Sequence, residues 1–359
     1  MTAGSDEIEA MIAAFAPALA GRADAALRLV DLAHVVARRR ERVRAFELCE
    51  QALAAGGGDP EVRVRVRRLL SSLLPNYHAP AMNNARRNAA WRQALRGAVG
   101  PTTRALDIGT GPGTLALMAA QAGAAKVTAC ERDPLLALIA GRVVAANGLA
   151  DRIDVVAKPL AELALGADME GPADLVFLDV FGDDVLDDRP FALIADALRR
   201  LAGDGARVLP AGASLQVALA DWDQAPRYGA REAAGFDVSA FADLTPPKIA
   251  VEIGAADLRL RSDPATLFRF DFTAIRDHVE GETELALTAR ADGPVNGVLH
   301  WPCLHLDAAT ALEERPTPGA RSHRAPRFWP LPEPRTMRRG ETLTVRARHT
   351  DREVMLWVV

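Results

Sequence analysis

The stretch ALDIGTGPGTLALMA, residues 105–119, decides the fold. A short apolar run suited to a buried strand leads into glycines at 109, 111 and 113, and an apolar helical stretch follows at once. Strand, glycine turn and helix start in succession make the seat of a nucleotide cofactor at the carboxyl edge of a parallel sheet's first strand. Counted from Gly109, a dinucleotide fingerprint would need glycine at position 114; Thr114 stands there, which disfavours NAD. Glu131 lies 22 positions after Gly109, at the end of the next strand-like run, where a carboxylate can accept hydrogen bonds from both ribose hydroxyls. Gly109, Gly111 and Gly113 let the backbone approach a ligand closely, and Asp107 is placed to orient an ammonium group. A ligand with ribose, ammonium and no phosphate fits S-adenosylmethionine, the expected cofactor; a purely structural turn in another α/β fold is the alternative.

Working outward, residues 100–209 alternate short apolar runs with helical stretches: ALDI, helix 113–122, KVTACE, helix 134–147, IDVVA, ADLVFLDVF and helix 190–201. This order implies βαβ units and a doubly wound parallel sheet. After Pro210 the apolar period becomes two, in LRLRS (258–262), FRFDF (268–272), TELALTA (283–289), VLHWPCLHLD (298–307), LTVRARHT (343–350) and EVMLWVV (353–359), which read as antiparallel strands. The proline-rich joints at 315–334 read as loops. His300-Trp301 falls inside one alternating run, so both read as barrel residues. Residues 7–74 show helical spacing, and Ala45, Cys49 and Ala52 resemble the close-contact positions of one tetratricopeptide unit. A lone unit cannot bury its own face, so it should pack on the next domain.

The 359 residues exceed one ordinary core, since compact domains run about 100 to 200 residues. A net charge of −4 argues against nucleic acid as the main partner, because phosphate neutralisation needs a basic surface. No run reaches the roughly 18 to 20 apolar residues of a membrane span. MTAGSDEIEA lacks the basic-then-apolar order of a secretory signal, so a cytoplasmic protein without membrane partners is expected. Cys49, Cys130 and Cys303 form no CxxC pair, and neither disulfides nor a metal site are expected.

Around this seat, residues 75–359 resemble the protein arginine methyltransferases. NYHAPAMNNARRNAAW (76–91) is similar to the family's helix over the cofactor, with His78 and Arg87 matching a histidine and arginine at the methionine end; the arginine takes the carboxylate, for which a guanidinium fork is suited. Ala81 and Asn84 replace a methionine and an acid there. The resemblance also assigns Glu162 to the cofactor pocket. LDVFGDDVLDD (178–188) lies where the family has an acidic loop with two glutamates nine positions apart; here the pair is Asp179 and Asp188. REAAGFDVSAF (231–241) and RSDPATLFRFDF (261–272) look like the early barrel and dimerisation arm, closest to the monomethylating branch and its relatives, some of which carry tetratricopeptide helices. RAPRFWPLPEP (324–334) resembles the loop with a His-Trp pair at the substrate pocket, Trp329 matching and Phe328 replacing the histidine.

The resemblance implies an α/β plus β chain. It would have a helical, tetratricopeptide-like leader (1–74), a Rossmann-like, seven-stranded S-adenosylmethionine methyltransferase domain (75–209) and an antiparallel β-barrel (210–359) with a dimerisation arm around 231–267, assembled as a homodimer. The implied acceptor is a guanidino nitrogen of arginine in a protein or peptide. A guanidinium stays protonated, so carboxylates must hold it and bias its charge toward the non-attacking nitrogens, the role expected of Asp179 and Asp188, with Trp329 beside them. Asp183, Asp184 and Asp187 read as a solvated stretch. Two alternatives stay open: a methyltransferase on another small molecule, since clustered carboxylates also suit Mg²⁺, and a non-catalytic scaffold of the same fold.

Overall fold

The computed structural model describes residues 3–15, 19, 22–229, 232–274 and 280–359. Arg231, at the start of the expected arm, lies outside them. The chain opens with helices α1 (Ala3–Phe15), α2 (Ala25–Arg38), α3 (Arg42–Gly56) and α4 (Pro60–Leu73). Asp59 starts α4 by accepting the Glu61 N–H, with Pro60 at the first helical position. Ala45, Cys49 and Ala52 are buried in α3, and a Cβ at Gly56 would come within 2.5 Å of Ala26. These helices share a core that continues onto α8 (Pro134–Ala146), where Leu135 is buried among leader residues and Arg142 pairs Glu50 across the junction. The leader's apolar stripe is thus covered by the next part of the chain.

Helices α5 (His78–Met82) and α6 (Ala85–Ala98) lead into β1 (Arg104–Ile108), α7 (Thr114–Gln121), β2 (Lys126–Cys130), α8, β3 (Ile153–Val156), β4 (Ala173–Leu178), α9 (Pro190–Arg200) and β5 (Ala202–Leu209). The strands form a parallel sheet in the order β3-β2-β1-β4-β5, so the chain reverses direction across the sheet between β1 and β4. That switch point is where such sheets hold ligands. Five strands rather than the expected seven form this sheet among the described residues, because after β5 the chain passes at once into the antiparallel half at β6 (Gly212–Trp222).

The antiparallel half begins with β6, followed by a small hairpin of β7 (Glu232–Ala233) and β8 (Phe236–Asp237), then β9 (Ile249–Ala250), β10 (Leu258–Leu260) and β11 (Ala265–Asp271). It continues through β12 (Gly281–Thr288), β13 (Gly293–His305), β14 (Ala311–Glu313), β15 (Arg327–Met337), β16 (Thr342–His349) and β17 (Val354–Val358). One sheet runs β10-β6-β13-β15-β9, with β11 also on β6 and β14 on β13; β12-β16-β17 form a second. Strand β15 corrects the loop expected up to 334. Pro330 ends one stretch of its ladder with β13, Pro332 and Pro334 fall in the irregularity before pairing resumes at Arg335, and none of the three has an N–H to leave unpaired. Phe181 stacks on Phe272 with centroids 5.5 Å apart, and Phe191 meets Phe272 edge-on at 5.0 Å, so the parallel and antiparallel halves share one core.

Candidate active site

The site grows from the carboxyl ends of β1, β2 and β4, three neighbours in the parallel sheet. Gly109, Gly111 and Gly113 all have positive φ (67°, 57° and 85°), a backbone that side chains rarely adopt. A Cβ at Gly109 would lie 2.4 Å from the Val180 side chain, so the turn after β1 touches the loop after β4. Above Gly111 stands His78 of α5, whose ring would be 3.9 Å from a Cβ there. Glu131 accepts the Gly111 N–H (3.0 Å) on one carboxylate oxygen and the Asp133 N–H (2.9 Å) on the other, which fixes it beside the turn. Asp107 is buried and accepts the Thr110 hydroxyl at 2.6 Å. Burial pushes its carboxyl up to about 7, against the Thr110 bond and the Arg87 charge and with help from Glu131. An ammonium group placed beside this buried carboxyl would favour its ionised form.

Arg87 reaches this seat from α6, whose first turn is capped by Asn84 accepting the Arg87 N–H at 3.0 Å. Its Nε donates to one Asp179 oxygen at 2.6 Å, while Arg324 donates from Nη2 to the other at 2.5 Å and from Nε to the Phe181 carbonyl. All three side chains are buried. Burial alone would raise the Asp179 carboxyl; the Arg324 and Arg87 guanidinium groups overcome it and hold the carboxyl well below its usual range. Asp188, at the far end of the acidic loop, is about half exposed and faces Arg132 at 4.0 Å. Its charge, after burial, helps push the Tyr77 phenol up, as does Glu131.

The solvated reading of the middle acids holds for the exposed Asp187 and is corrected for the other two. Asp183 pairs Arg327 at 2.7 Å and accepts the Ala325 N–H, and Asp184 is buried between His300 (2.8 Å) and Lys248. The barrel, far along the chain, supplies these partners. Trp329, expected on a loop, lies in β15, buried, and its Nε1–H donates to His300 Nδ1 at 2.8 Å. Phe328 points to the opposite face, packed edge-on to Trp222 in the barrel's own core. Its ring occupies the space a Cβ at Gly297 would need, so it does not stand in for a pocket histidine. His300 and Trp301 are buried in β13 as read, but they face opposite ways, Trp301 into that barrel core and His300 toward Asp184.

Of the residues expected at the site, the structure brings together His78, Arg87, Asp107, the three glycines, Glu131 and Asp179. Glu162 is exposed in the helical turn Leu160–Glu162. Sequence reasoning missed Arg324 and His323. His323 has a buried Nδ1 with no hydrogen-bond partner, and burial, then Arg324, hold its imidazole down to about 4. Glu314, 1% exposed, accepts from Arg86 and lies 3.7 Å from Arg324, an ionic contact too long for a hydrogen bond. Only the SHR run beside RAPRFW signalled these residues, and its register against the acidic loop is set by folding.

Residues 92–209 match the Ribosomal protein L11 methyltransferase (PrmA) family. The chain is 34% identical over 281 residues to "Arginine N(omega)-methyltransferase" of Streptomyces achromogenes subsp. streptozoticus, covering 77% of each. It is 29% identical over 253 residues to "Protein arginine N-methyltransferase 7" of Oryza sativa subsp. indica, covering 64% of this chain and 35% of that one. Among solved structures, it superposes on a Trypanosoma brucei PRMT1 enzyme-prozyme heterotetrameric complex with AdoHcy (TM-score 0.68, 20% identity, 80% and 98% of the chains). It also superposes on Arabidopsis thaliana Protein Arginine Methyltransferase 10 (TM-score 0.65, 18% identity, 76% and 87%). At those identities the superpositions speak to the fold, a Rossmann-like methyltransferase domain with a β-barrel.

Proposed function

The chain belongs to the arginine N-methyltransferase family, and on that premise we propose that it transfers a methyl group from S-adenosylmethionine to a guanidino nitrogen of arginine. Bound at the glycine turn, the cofactor supplies a methyl carried on a sulfonium. Glu131 would accept from the ribose, Asp107 would meet the ammonium, Arg87 would pair the carboxylate, and His78 would cover the seat above Gly111, with Glu162 added on the resemblance alone. The residues fit this group: a turn of left-handed glycines, a buried carboxyl that an ammonium would hold ionised, and a buried arginine whose charge reaches that carboxyl.

The acceptor half rests on Asp179, a buried acid just past β4 whose oxygens are held by the Arg87 and Arg324 guanidinium groups, so an acceptor guanidinium would have to take the place of one of them. That carboxylate is the observation that carries the reading, because a guanidinium acceptor needs a buried, ionised acid at the carboxyl end of β4. Asp188 would supply the second charge from the loop's far end. Displacement at a methyl group demands in-line positioning more than a strong base, so the loop's work is to hold and orient. Each aspartate is shorter than glutamate by one C–C bond, roughly 1.5 Å, and the backbone must approach the acceptor correspondingly closer.

The acceptor is arginine in a protein or peptide; a second reading, free arginine, is favoured by the Streptomyces relative, whose name specifies arginine alone and which is matched over 77% of both chains. The exposed Phe236, Phe241 and Leu244 of the 231–267 arm support a homodimer. The small contacts of Ala45, Cys49 and Ala52 support a tetratricopeptide-like leader. Three buried free cysteines, and the absence among the described residues of any helix long and apolar enough to cross a membrane, accord with a cytoplasmic setting. Asp179→Asn and Asp188→Asn should each lower turnover on arginine acceptors about a hundredfold or more and leave chelator without effect; Asp188→Asn should keep S-adenosylhomocysteine affinity within a few fold, whereas Asp179→Asn also removes a partner of Arg87, the residue proposed for the cofactor carboxylate. Wild-type turnover in either variant would contradict the two-carboxylate clamp.

A further inference from the structure

Between the acidic loop and the barrel lies a cluster that the acceptor clamp does not use. Trp329 Nε1–H donates to His300 Nδ1 at 2.8 Å, and His300 Nε2 meets Asp184 Oδ1 at 2.8 Å. An indole nitrogen can only donate, so Nδ1 must accept and the ring's single proton must sit on Nε2, pointing at Asp184. The other Asp184 oxygen takes the Lys248 ammonium, which lies 5.6 Å from the centroid of the Trp329 ring. The chain of contacts closes on itself. His300 is fully buried and Asp184 nearly so, and burial, then the Lys248 and Arg327 charges, hold the imidazole down to about 3, against Asp183 and Asp187. The ring therefore carries one proton, as the wiring requires.

A second observation points the same way. Val185, next to Asp184 and itself fully buried, has φ +68°, and Arg189 at the loop's end has φ +55°. A β-branched residue in the left-handed region is strained, and such strain persists only where the surroundings over-determine it. Asp184 is the buried fixed point of that loop, next to the more exposed Asp183–Arg327 pair, five residues after Asp179 and four before Asp188.

We propose that Asp184, His300, Trp329 and Lys248 form a closed anchor that holds the acidic loop in its strained path and so sets the position of the acceptor. All four are positioning residues; none is assigned contact with the reacting atoms. The inference rests on the acidic loop being the acceptor clamp, and the two fail separately. If the clamp reading is wrong, the Asp179 and Asp188 variants keep turnover; if the anchor is wrong, only the variants below behave otherwise than expected.

The test compares His300→Phe, His300→Gln and Lys248→Met in the full chain, measuring kcat, acceptor KM and S-adenosylhomocysteine affinity. In His300→Phe, kcat should fall about 10- to 100-fold, the range expected of a misplacement near 1 Å, with cofactor affinity within twofold of wild type. Glutamine offers one donor and one acceptor at a similar separation to the imidazole nitrogens, so His300→Gln should recover most of the loss. Wild-type kcat in His300→Phe, parallel losses of cofactor affinity and kcat, or failure of His300→Gln to recover activity would each overturn the anchor. Should His300→Phe not fold, Lys248→Met, at the partly exposed corner, carries the test: the same fall in kcat at unchanged cofactor affinity is expected, and wild-type kcat overturns the proposal.

Discussion

Asp107 joins a sequence signal to a measurable titration. It lies near the end of β1, and burial pushes its carboxyl up to about 7. An ammonium partner favours the ionised form, so ligand binding must release the carboxyl proton wherever the free protein still carries it. Affinity for S-adenosylhomocysteine should thus rise with pH and level off above 7, weakening about tenfold between pH 8 and pH 6. Calorimetry in buffers of different ionisation enthalpy would read both the slope and the released proton, and Asp107→Asn should bind more weakly with the slope removed. At Gly111, valine would need a positive φ and would crowd His78, so Gly111→Val should abolish binding in a folded protein, by the same calorimetry. These residues were legible because their spacing is local: strand, turn, and an acid on the next strand. Asp184 was not. Its partner His300 stands 116 positions away, and nothing in an acid-rich run says which carboxylate will meet a buried imidazole.

Among the elements, α8 does double duty. One face packs on β3, and Leu135 belongs to the leader's core, which α8 meets through α3. Leu135→Ala should cost about 2 to 5 kcal/mol, seen as a lowered denaturant midpoint, and the leader should become the first region to lose amide protection. A midpoint unchanged from wild type would mean that the leader does not depend on α8. Period-two runs gave most of the barrel strands to within a few residues, because alternation records which face is buried. Strand β15 hid behind its prolines, whose missing N–H groups fall where the ladder to β13 breaks. From β8 onward, the segment 236–244 exposes Phe236, Phe241 and Leu244, apolar area that a second copy would cover. Light scattering should report a dimer at micromolar concentration, and Phe241→Asp with Leu244→Asp should shift it toward monomer; a wild-type monomer would count against the arm.

At the scale of the whole molecule, parallel and antiparallel halves share a core through Phe181, Phe191 and Phe272, and the acidic loop emerges directly from that junction. The cofactor seat belongs to the parallel half, while Arg324, His323 and the His300 anchor belong to the barrel. The proposed clamp therefore draws on residues of both halves. Sequence order showed the halves, but not the five-stranded extent of the sheet or the guanidinium groups on Asp179, since those depend on docking one half against the other. The most direct test of the account is incubation of the full chain with methyl-labelled S-adenosylmethionine and either free arginine or arginine-containing peptides, followed by complete hydrolysis and separation of the amino acids. Label in methylarginine is the predicted result; a folded, cofactor-binding protein that labels no arginine in either pool would contradict it.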